Sequence, residues 1–147
     1  MSKLETPMIR WYWHQVGGTL IEEFLATRRT KTCGQRLVDG VILPDGPHRI
    51  ADWREVSLEG RDIVVVQAKR GRLGMYLMGQ AFFSAELLRR FKPKAICSVA
   101  LCEAHDSVLS PMLESYPDME VVIYPGDEAV QNTARSERKR ESPKGSL

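Results

Sequence analysis

The segment of residues 62–71, with the sequence DIVVVQAKRG, constrains the fold more than any other part of the chain. Its four consecutive apolar residues, followed by a polar and glycine-containing turn, are typical of a buried β-strand. Gln67 and Lys69 are two residues apart near the end of this strand, so both point to the same face of the sheet. The strand is therefore expected to be buried along its length and to present an amide and an ammonium group at its end.

Other strand-like and helix-like patterns alternate along the chain. Residues 49–59 fit either an irregular excursion or a short extra strand. Gly17 and Gly18 interrupt a helical pattern over residues 11–27, so its main helix is predicted to begin near residue 18 or 19. Strands are predicted over 36–43, 61–68, 95–102 and 119–124, and helices over 72–91 and 106–116. This order predicts an α/β domain with a mixed central sheet flanked by helices.

Length and composition favour one domain in a reducing compartment. The 147 residues suit a single domain, predicted over residues 1–126. Residues 127–147 are polar and charged with little to bury, so they are predicted to form a mobile tail. No apolar run approaches the ~20 residues that a membrane span needs, and the first residues lack the apolar region of a signal peptide. Three cysteines without a CxxC pattern indicate reduced thiols, so a cytoplasmic protein is expected.

Asp39 is an acidic residue on an otherwise apolar predicted strand. A buried carboxylate is costly unless it is paired or binds a metal. If the strand over 36–43 pairs with the strand over 61–68, Asp39 lies beside Gln67 and Lys69. A divalent cation such as Mg²⁺ prefers oxygen ligands, which Asp39, the Gln67 side chain and the Ala68 carbonyl would supply. Lys69 would stabilise charge at a phosphate, so the pattern indicates phosphodiester hydrolysis.

The two segments RLVDG (36–40) and VVQAK (65–69) resemble the motif of the PD-(D/E)XK nuclease superfamily, which has the restriction-endonuclease-like fold. In that superfamily an acid on one strand is followed, after a hairpin, by an acid-x-Lys sequence on the next strand. Gln67 stands where the acid is most common, as in the Gln-x-Lys variant similar to Mrr-type endonucleases. The resemblance spans roughly residues 10–125. It implies a DNA nuclease that uses Mg²⁺ or Mn²⁺ and that is able to form a homodimer.

The resemblance also implies further site residues. Family members often carry a metal-facing glutamate on the first helix, which favours Glu22, with Glu23 as the alternative. Gln80 resembles the glutamine that faces the site in RecB-like nucleases. The implied metal ligands are thus Asp39, Glu22, Gln67 and Ala68. Basic residues expected to hold the DNA backbone are Arg70, Arg72, Arg28 and Arg29.

Two other functions fit the same residues. One is a module with a catalytically weak or inactive nuclease fold that binds DNA or a protein partner, since Gln67 removes one negative charge from the site. The other is a structural subunit in which Asp39 and Lys69 form a buried ion pair. The chain has no HExxH, GxSxG or GxxxxGK[ST] pattern, so a zinc protease, a serine hydrolase and an ATP-binding loop are not predicted.

Overall fold

The computed structural model of the chain describes residues 3–141, and its helices and strands alternate as expected for an α/β protein. In chain order, the elements are α1 (Thr6–Val16), β1 (Thr19–Thr27), β2 (Arg36–Leu43), β3 (Arg49–Ala51), β4 (Asp62–Ala68), α2 (Met75–Arg89), β5 (Ala95–Cys102), α3 (Leu109–Glu114), β6 (Met119–Ile123) and α4 (Asp127–Glu141).

The strands form one six-stranded mixed sheet with the order β3-β1-β2-β4-β5-β6. β2 is antiparallel to both of its neighbours, β1 and β4, whereas β4, β5 and β6 are parallel to one another. The predicted α/β class with a mixed central sheet flanked by helices is therefore confirmed. β2 and β4 pair from Gly40 opposite Val66 to Ile42 opposite Val64, so the segments that carry Asp39 and Gln67 are adjacent strands.

Helices cover both faces of the sheet. Val65 belongs to an apolar cluster that includes Leu77 and Ala81 of α2. Its neighbour Val66 belongs to a second cluster, with Met8 and Ile9 of α1. Because consecutive residues of a strand point to opposite faces, α2 and α1 pack on opposite sides of β4. Ile63, Val65 and Val66 of the apolar run are buried, and Val64 is partly buried, because helices cover both faces of the strand.

The prediction that the first main helix begins near residue 18 or 19 is wrong. The helix is α1, which ends at Val16, and Thr19–Thr27 is the strand β1. Gly17 and Gly18 have φ of +82° and +77°, a conformation that ends a helix and that glycine adopts without strain. β1 then pairs with β2 along its length. Sheet pairing overrode an apolar spacing that also fits a helix, because a short apolar run does not distinguish the two.

Two other segments differ from the simplest expectation. The ambiguous residues 49–59 contain the short strand β3 and a 3₁₀ turn at Trp53–Glu55, which Asp52 caps through the Arg54 N–H. In the predicted mobile tail, Asp127–Glu141 form α4, a helix without a buried residue, while residues 142–147 lie outside the described part. Within residues 3–141, no helix is long and apolar enough to cross a membrane.

Candidate functional site

Asp39 and Gln67 join β2 to β4 where the ladder between the two strands ends. The Ala68 N–H donates to Asp39 Oδ2 at 3.0 Å. In return, the Asp39 N–H donates to Gln67 Oε1 in a long bond of 3.4 Å. The two side chains thus replace backbone partners just beyond the last pair, Gly40 and Val66. The sequence prediction that Asp39 lies beside the end of the second strand agrees with this geometry.

A change of strand phase explains how an acid is tolerated at Asp39. Val38 and Val41 pack in the same apolar cluster although they are three residues apart, as do Ile21 and Phe24 on β1. Strict alternation would place residues three apart on opposite faces. Between the latter pair, Glu23 has a φ of +53°. Both strands therefore shift phase at the level of Asp39, which leaves the acid half-buried at the break rather than inside the core.

Burial raises the pKa of the Asp39 carboxyl above its ordinary value, because the charged form loses solvation. The hydrogen bond from the Ala68 N–H acts in the opposite direction, and the negative charges of Glu23 and Glu5 raise the pKa further. A carboxylate held in this state would be stabilised by a cation, because a positive charge near the group favours its ionised form.

Glu5 is a site residue that the sequence did not indicate. It stands at the N-cap position of α1 but makes no side-chain capping bond. Its Oε2 atom is buried and, among residues 3–141, has no hydrogen-bond partner. The negative charge of Glu5, at the start of the first helix, also acts on the Asp39 carboxyl and raises its pKa. Sequence reasoning missed it because the predicted first helix began too late in the chain.

Glu22 occupies a different place from the one predicted. It lies on β1 opposite Gly40 and not on a helix, so its assignment to the first helix is wrong. Its Oε1 accepts a hydrogen bond from Arg10 of α1 at 2.9 Å, and its side chain is 17% exposed. The structure thus joins Glu22 to a cation of the protein itself, while Glu23, the alternative from the sequence, acts on Asp39 through its charge, as Glu5 does.

Lys69 follows the last residue of β4 and is exposed. Its backbone N–H donates to the Leu101 carbonyl of β5, and its Nζ lies 4.7 Å from the centroid of the Tyr76 ring, a cation–π contact. Gln80 lies on the same helix as Tyr76, and both line a groove whose floor includes Gln67. The structure therefore brings Gln67, Lys69 and Gln80 into one region.

The basic residues predicted to hold DNA are in three situations. Arg28 and Arg29 are exposed in the loop after β1, with the guanidinium of Arg28 5.9 Å from the Trp53 ring centroid. Arg72 is exposed and donates to the His105 carbonyl. Arg70 is the most engaged of the four: it donates to the Leu4 carbonyl and to Asp127 of α4. A phosphate at Arg70 would have to compete with Asp127.

The oxygen-rich surroundings of Asp39 suit a hard divalent cation in chemistry, but they do not enclose one. Among residues 3–141, no three His, Cys, Asp or Glu side chains form a group that could hold a metal ion. Mg²⁺ is usually held by one or two carboxylates together with waters and substrate phosphates. The charges of Glu5 and Glu23 act on Asp39, and the Glu5 Oε2 atom is buried without a hydrogen-bond partner among residues 3–141, so these two carboxylates are the candidates to join Asp39 around such a cation.

The Gln67 side chain is buried and connects β2 to α2, so it does not face solvent as an open ligand would. It is 3% exposed, and its Nε2 donates to Ser84 Oγ of α2 at 2.7 Å while its Oε1 faces the Asp39 N–H. Both ends of the amide are therefore used inside the protein. A metal at Gln67 would require the Oε1 atom to leave the Asp39 N–H. The role of Gln67 as a metal ligand stays a prediction, and in this structure its amide bonds to the Asp39 backbone and to Ser84.

We expect the substitution Gln67→Leu to lower the free energy of unfolding by about 2–3 kcal/mol, because it leaves the Asp39 N–H and the Ser84 hydroxyl without their partner. Urea denaturation in the presence of EDTA measures this loss without any contribution from metal. Gln35→Leu, at an exposed residue just before β2, is the matched control and should change stability by less than about 0.5 kcal/mol. Equal stability of both variants would mean that the two hydrogen bonds of the Gln67 amide do not stabilise the fold.

Comparison with known proteins adds no relative: no protein-family model matches the chain, and neither a curated protein nor a solved structure matches it.

Proposed function

We propose that this protein is a metal-dependent nuclease of the PD-(D/E)XK type that hydrolyses phosphodiester bonds of DNA in the cytoplasm. The observation that carries the proposal is the contact between Asp39 Oδ2 and the Ala68 N–H at 3.0 Å. It joins an acid on one strand to the Gln-x-Lys segment of the adjacent antiparallel strand. The mixed sheet, with a helix after the lysine and then a parallel strand, is compatible with a restriction-endonuclease-like fold.

Each residue of the site has a distinct role in this proposal. Asp39, together with Glu5 or Glu23, would hold Mg²⁺ or Mn²⁺, and the bound cation supplies Lewis-acid chemistry to phosphate hydrolysis. Gln67 positions Asp39 because its Oε1 accepts a hydrogen bond from the Asp39 backbone N–H. Lys69 offers an exposed ammonium to the negative charge that develops at phosphorus.

DNA is the proposed partner because Lys69 beside the site and several arginines elsewhere on the surface are exposed cations. Lys69, Arg72, Arg28 and Arg29 are all exposed, and lysine and arginine contacts to phosphates supply most of the affinity for DNA that does not depend on sequence. A homodimer, which the resemblance also implies, would place two such sites on the two strands of a duplex.

The experiment that tests the proposal is incubation of the purified protein with plasmid and with single-stranded DNA, in Mg²⁺, in Mn²⁺ and in EDTA. We expect cutting in the divalent cations and none in EDTA. Lys69→Ala should reduce the rate by about 10²–10³-fold, the usual effect of removing one group that stabilises charge in the transition state. Lys94→Ala is the matched control, because Lys94 stands beside the other end of β4.

The outcomes of this assay separate the three functions. DNA retained on a gel without cutting, in every cation, would support the second candidate, a module that binds DNA without hydrolysing it. The full internal use of the Gln67 amide, with its Nε2 on Ser84, is the specific observation in favour of that candidate. If the protein neither retains nor cuts DNA, both the nuclease and the DNA-binding module are refuted. A structural role for Asp39 and Lys69 would then remain.

A further inference from the structure

A groove of about 460 Å³ adjoins the candidate site between the beginning of β2 and one side of α2. Gln67 and Ser84 contribute to its floor, and Tyr76, whose ring carries the Lys69 ammonium, is part of its wall. Its volume lies in the range of about 300–1,000 Å³ that is typical of small-ligand pockets. A molecule bound in this groove would therefore lie next to a phosphate bound at Lys69.

The wall of the groove is formed by large apolar side chains that face solvent. Met75, Tyr76 and Phe83 of α2 are 75%, 68% and 65% exposed, and Leu37 of β2 is 44% exposed. Such a concentration of exposed apolar side chains on a small protein marks a binding surface. Two of the four are aromatic, and aromatic side chains are the surfaces on which nucleobases stack.

The charge of the groove selects an anionic ligand. Among the described residues that line it, Arg36 is the only charged one, and the Lys69 ammonium lies over the Tyr76 ring at its edge. A ligand with flat apolar groups and a negative backbone complements this combination. A groove that bound an acidic or neutral peptide would satisfy the apolar wall, but it would leave the flat aromatic rings without flat partners.

Open space lies beside Gly79, one of the residues that line the groove. Gly79 lies within α2, and a Cβ atom built there meets no atom within 4 Å. Glycine inside a helix costs about 0.5–1 kcal/mol relative to alanine, and a larger side chain at this position would extend into the groove.

We propose that this groove binds unpaired nucleotides, so that the substrate of the site is DNA with a single-stranded segment. The inference rests on the proposed nuclease function and names the substrate class for it. Bases in a duplex are stacked on one another and present only their edges in the grooves. The bases of a single strand are free to stack on Tyr76 and Phe83 while their phosphates meet Arg36 and Lys69.

The test is the fluorescence anisotropy of labelled single-stranded and duplex oligonucleotides in EDTA, where no cutting interferes. We expect Tyr76→Ala and Phe83→Ala each to weaken binding of the single strand by about tenfold, as for the loss of one stacked base, and to change duplex binding less than twofold. Gly79→Leu should fill the groove and give a similar loss. Gly79→Ala raises helix propensity about as much as Gly79→Leu does but adds only one carbon atom. It should bind the single strand nearly as tightly as the original protein does.

Tyr116→Ala is the control for removal of an exposed aromatic residue, because Tyr116 is half-exposed and lies outside the groove. If Tyr76→Ala, Phe83→Ala and Gly79→Leu all bind the single strand as tightly as the original protein, the groove has another occupant, such as a peptide or a second copy of the chain, and the inference is overturned. Metal-dependent cutting of duplex plasmid in the same preparations would then still uphold the nuclease function. Conversely, groove-dependent binding of single strands without cutting in any cation would overturn the nuclease and retain the groove.

Discussion

Replacing Asp39 by Asn is expected to reduce DNA cleavage strongly and, at neutral pH, to stabilise the protein. A bound metal supplies several kcal/mol of transition-state stabilisation, and each ~1.4 kcal/mol is a factor of ten in rate, so we expect a loss of about 10³-fold. Asparagine has nearly the shape of aspartate, and its side-chain oxygen is able to accept the bond from the Ala68 N–H. The loss would therefore reflect the missing charge and not a collapsed site. Cleavage of labelled DNA in Mn²⁺ measures it.

The gain in stability follows from the raised pKa of Asp39. A carboxyl whose pKa is higher in the folded than in the unfolded state binds its proton more tightly when folded. It favours folding below its unfolded pKa of about 4, and this contribution is lost as the pH rises through the folded pKa. Asparagine cannot ionise, so we expect the variant to have the higher melting temperature near neutral pH and the difference to shrink on acidification towards pH 4. Thermal unfolding in EDTA measures both.

Asp62→Asn is the control, because Asp62 is exposed at the start of the same strand, β4. It should leave both cleavage and melting temperature nearly unchanged. A different result at Asp39, with lower stability at neutral pH and little change in cleavage, would mean that the carboxylate is a structural partner of a cation, as in the structural-subunit hypothesis, and would refute its role in metal binding.

The substitution Gly18→Ala is expected to produce the largest loss of stability, at least about 3 kcal/mol, from steric overlap and backbone strain combined. A Cβ at this position would lie 2.1 Å from the Leu43 carbonyl oxygen and 2.7 Å from the Pro44 Cα. Both are backbone atoms, so no side-chain rotation relieves the overlap. The φ of +77° adds the cost of a left-handed conformation for a residue with a side chain. Urea denaturation measures the change.

The comparison is Gly60→Ala, which has a φ of +71° but no atom within 4 Å of the added Cβ. It should cost only about 1 kcal/mol, the backbone contribution alone. If the two substitutions lower the free energy of unfolding equally, the steric overlap at Gly18 must be relieved at little cost. That result would mean that β1 and the end of β2 move apart easily. The Gly18 carbonyl also accepts a bond from the Trp13 indole at 2.7 Å, so a displaced Gly18 would be expected to quench or shift tryptophan fluorescence.

Local patterns were sufficient for most of the sheet and for one half of the candidate site. The run at residues 63–66 predicted β4, and the apolar residues flanking Asp39 predicted β2, because burial of continuous apolar surface leaves few alternatives to a strand. From the two strands alone, the approach of Asp39 to Gln67 was predictable. The direction of the Gln67 amide was not, since its Nε2 bonds to Ser84 of a helix that follows in the chain.

The first thirty residues show where local reasoning failed. The spacing of Leu20, Ile21, Phe24 and Leu25 fits a helix, yet the segment is a strand because β2 and β3 are available on its two sides. The break in strand phase at Glu23, with its positive φ, makes the apolar spacing of β1 resemble a helical one. That error moved the first helix along the chain, and so it concealed Glu5 and misplaced Glu22.

The sequence by itself determined which segments must be buried and where polar groups interrupt them, because the hydrophobic effect acts on composition and spacing that are local in the chain. Only the tertiary structure decided which glutamates act on Asp39, which carboxylate is joined to Arg10, and that exposed aromatic rings of α2 form a wall beside Lys69. These are contacts between residues far apart along the chain, and their geometry depends on how helices cross the sheet, which no local pattern encodes.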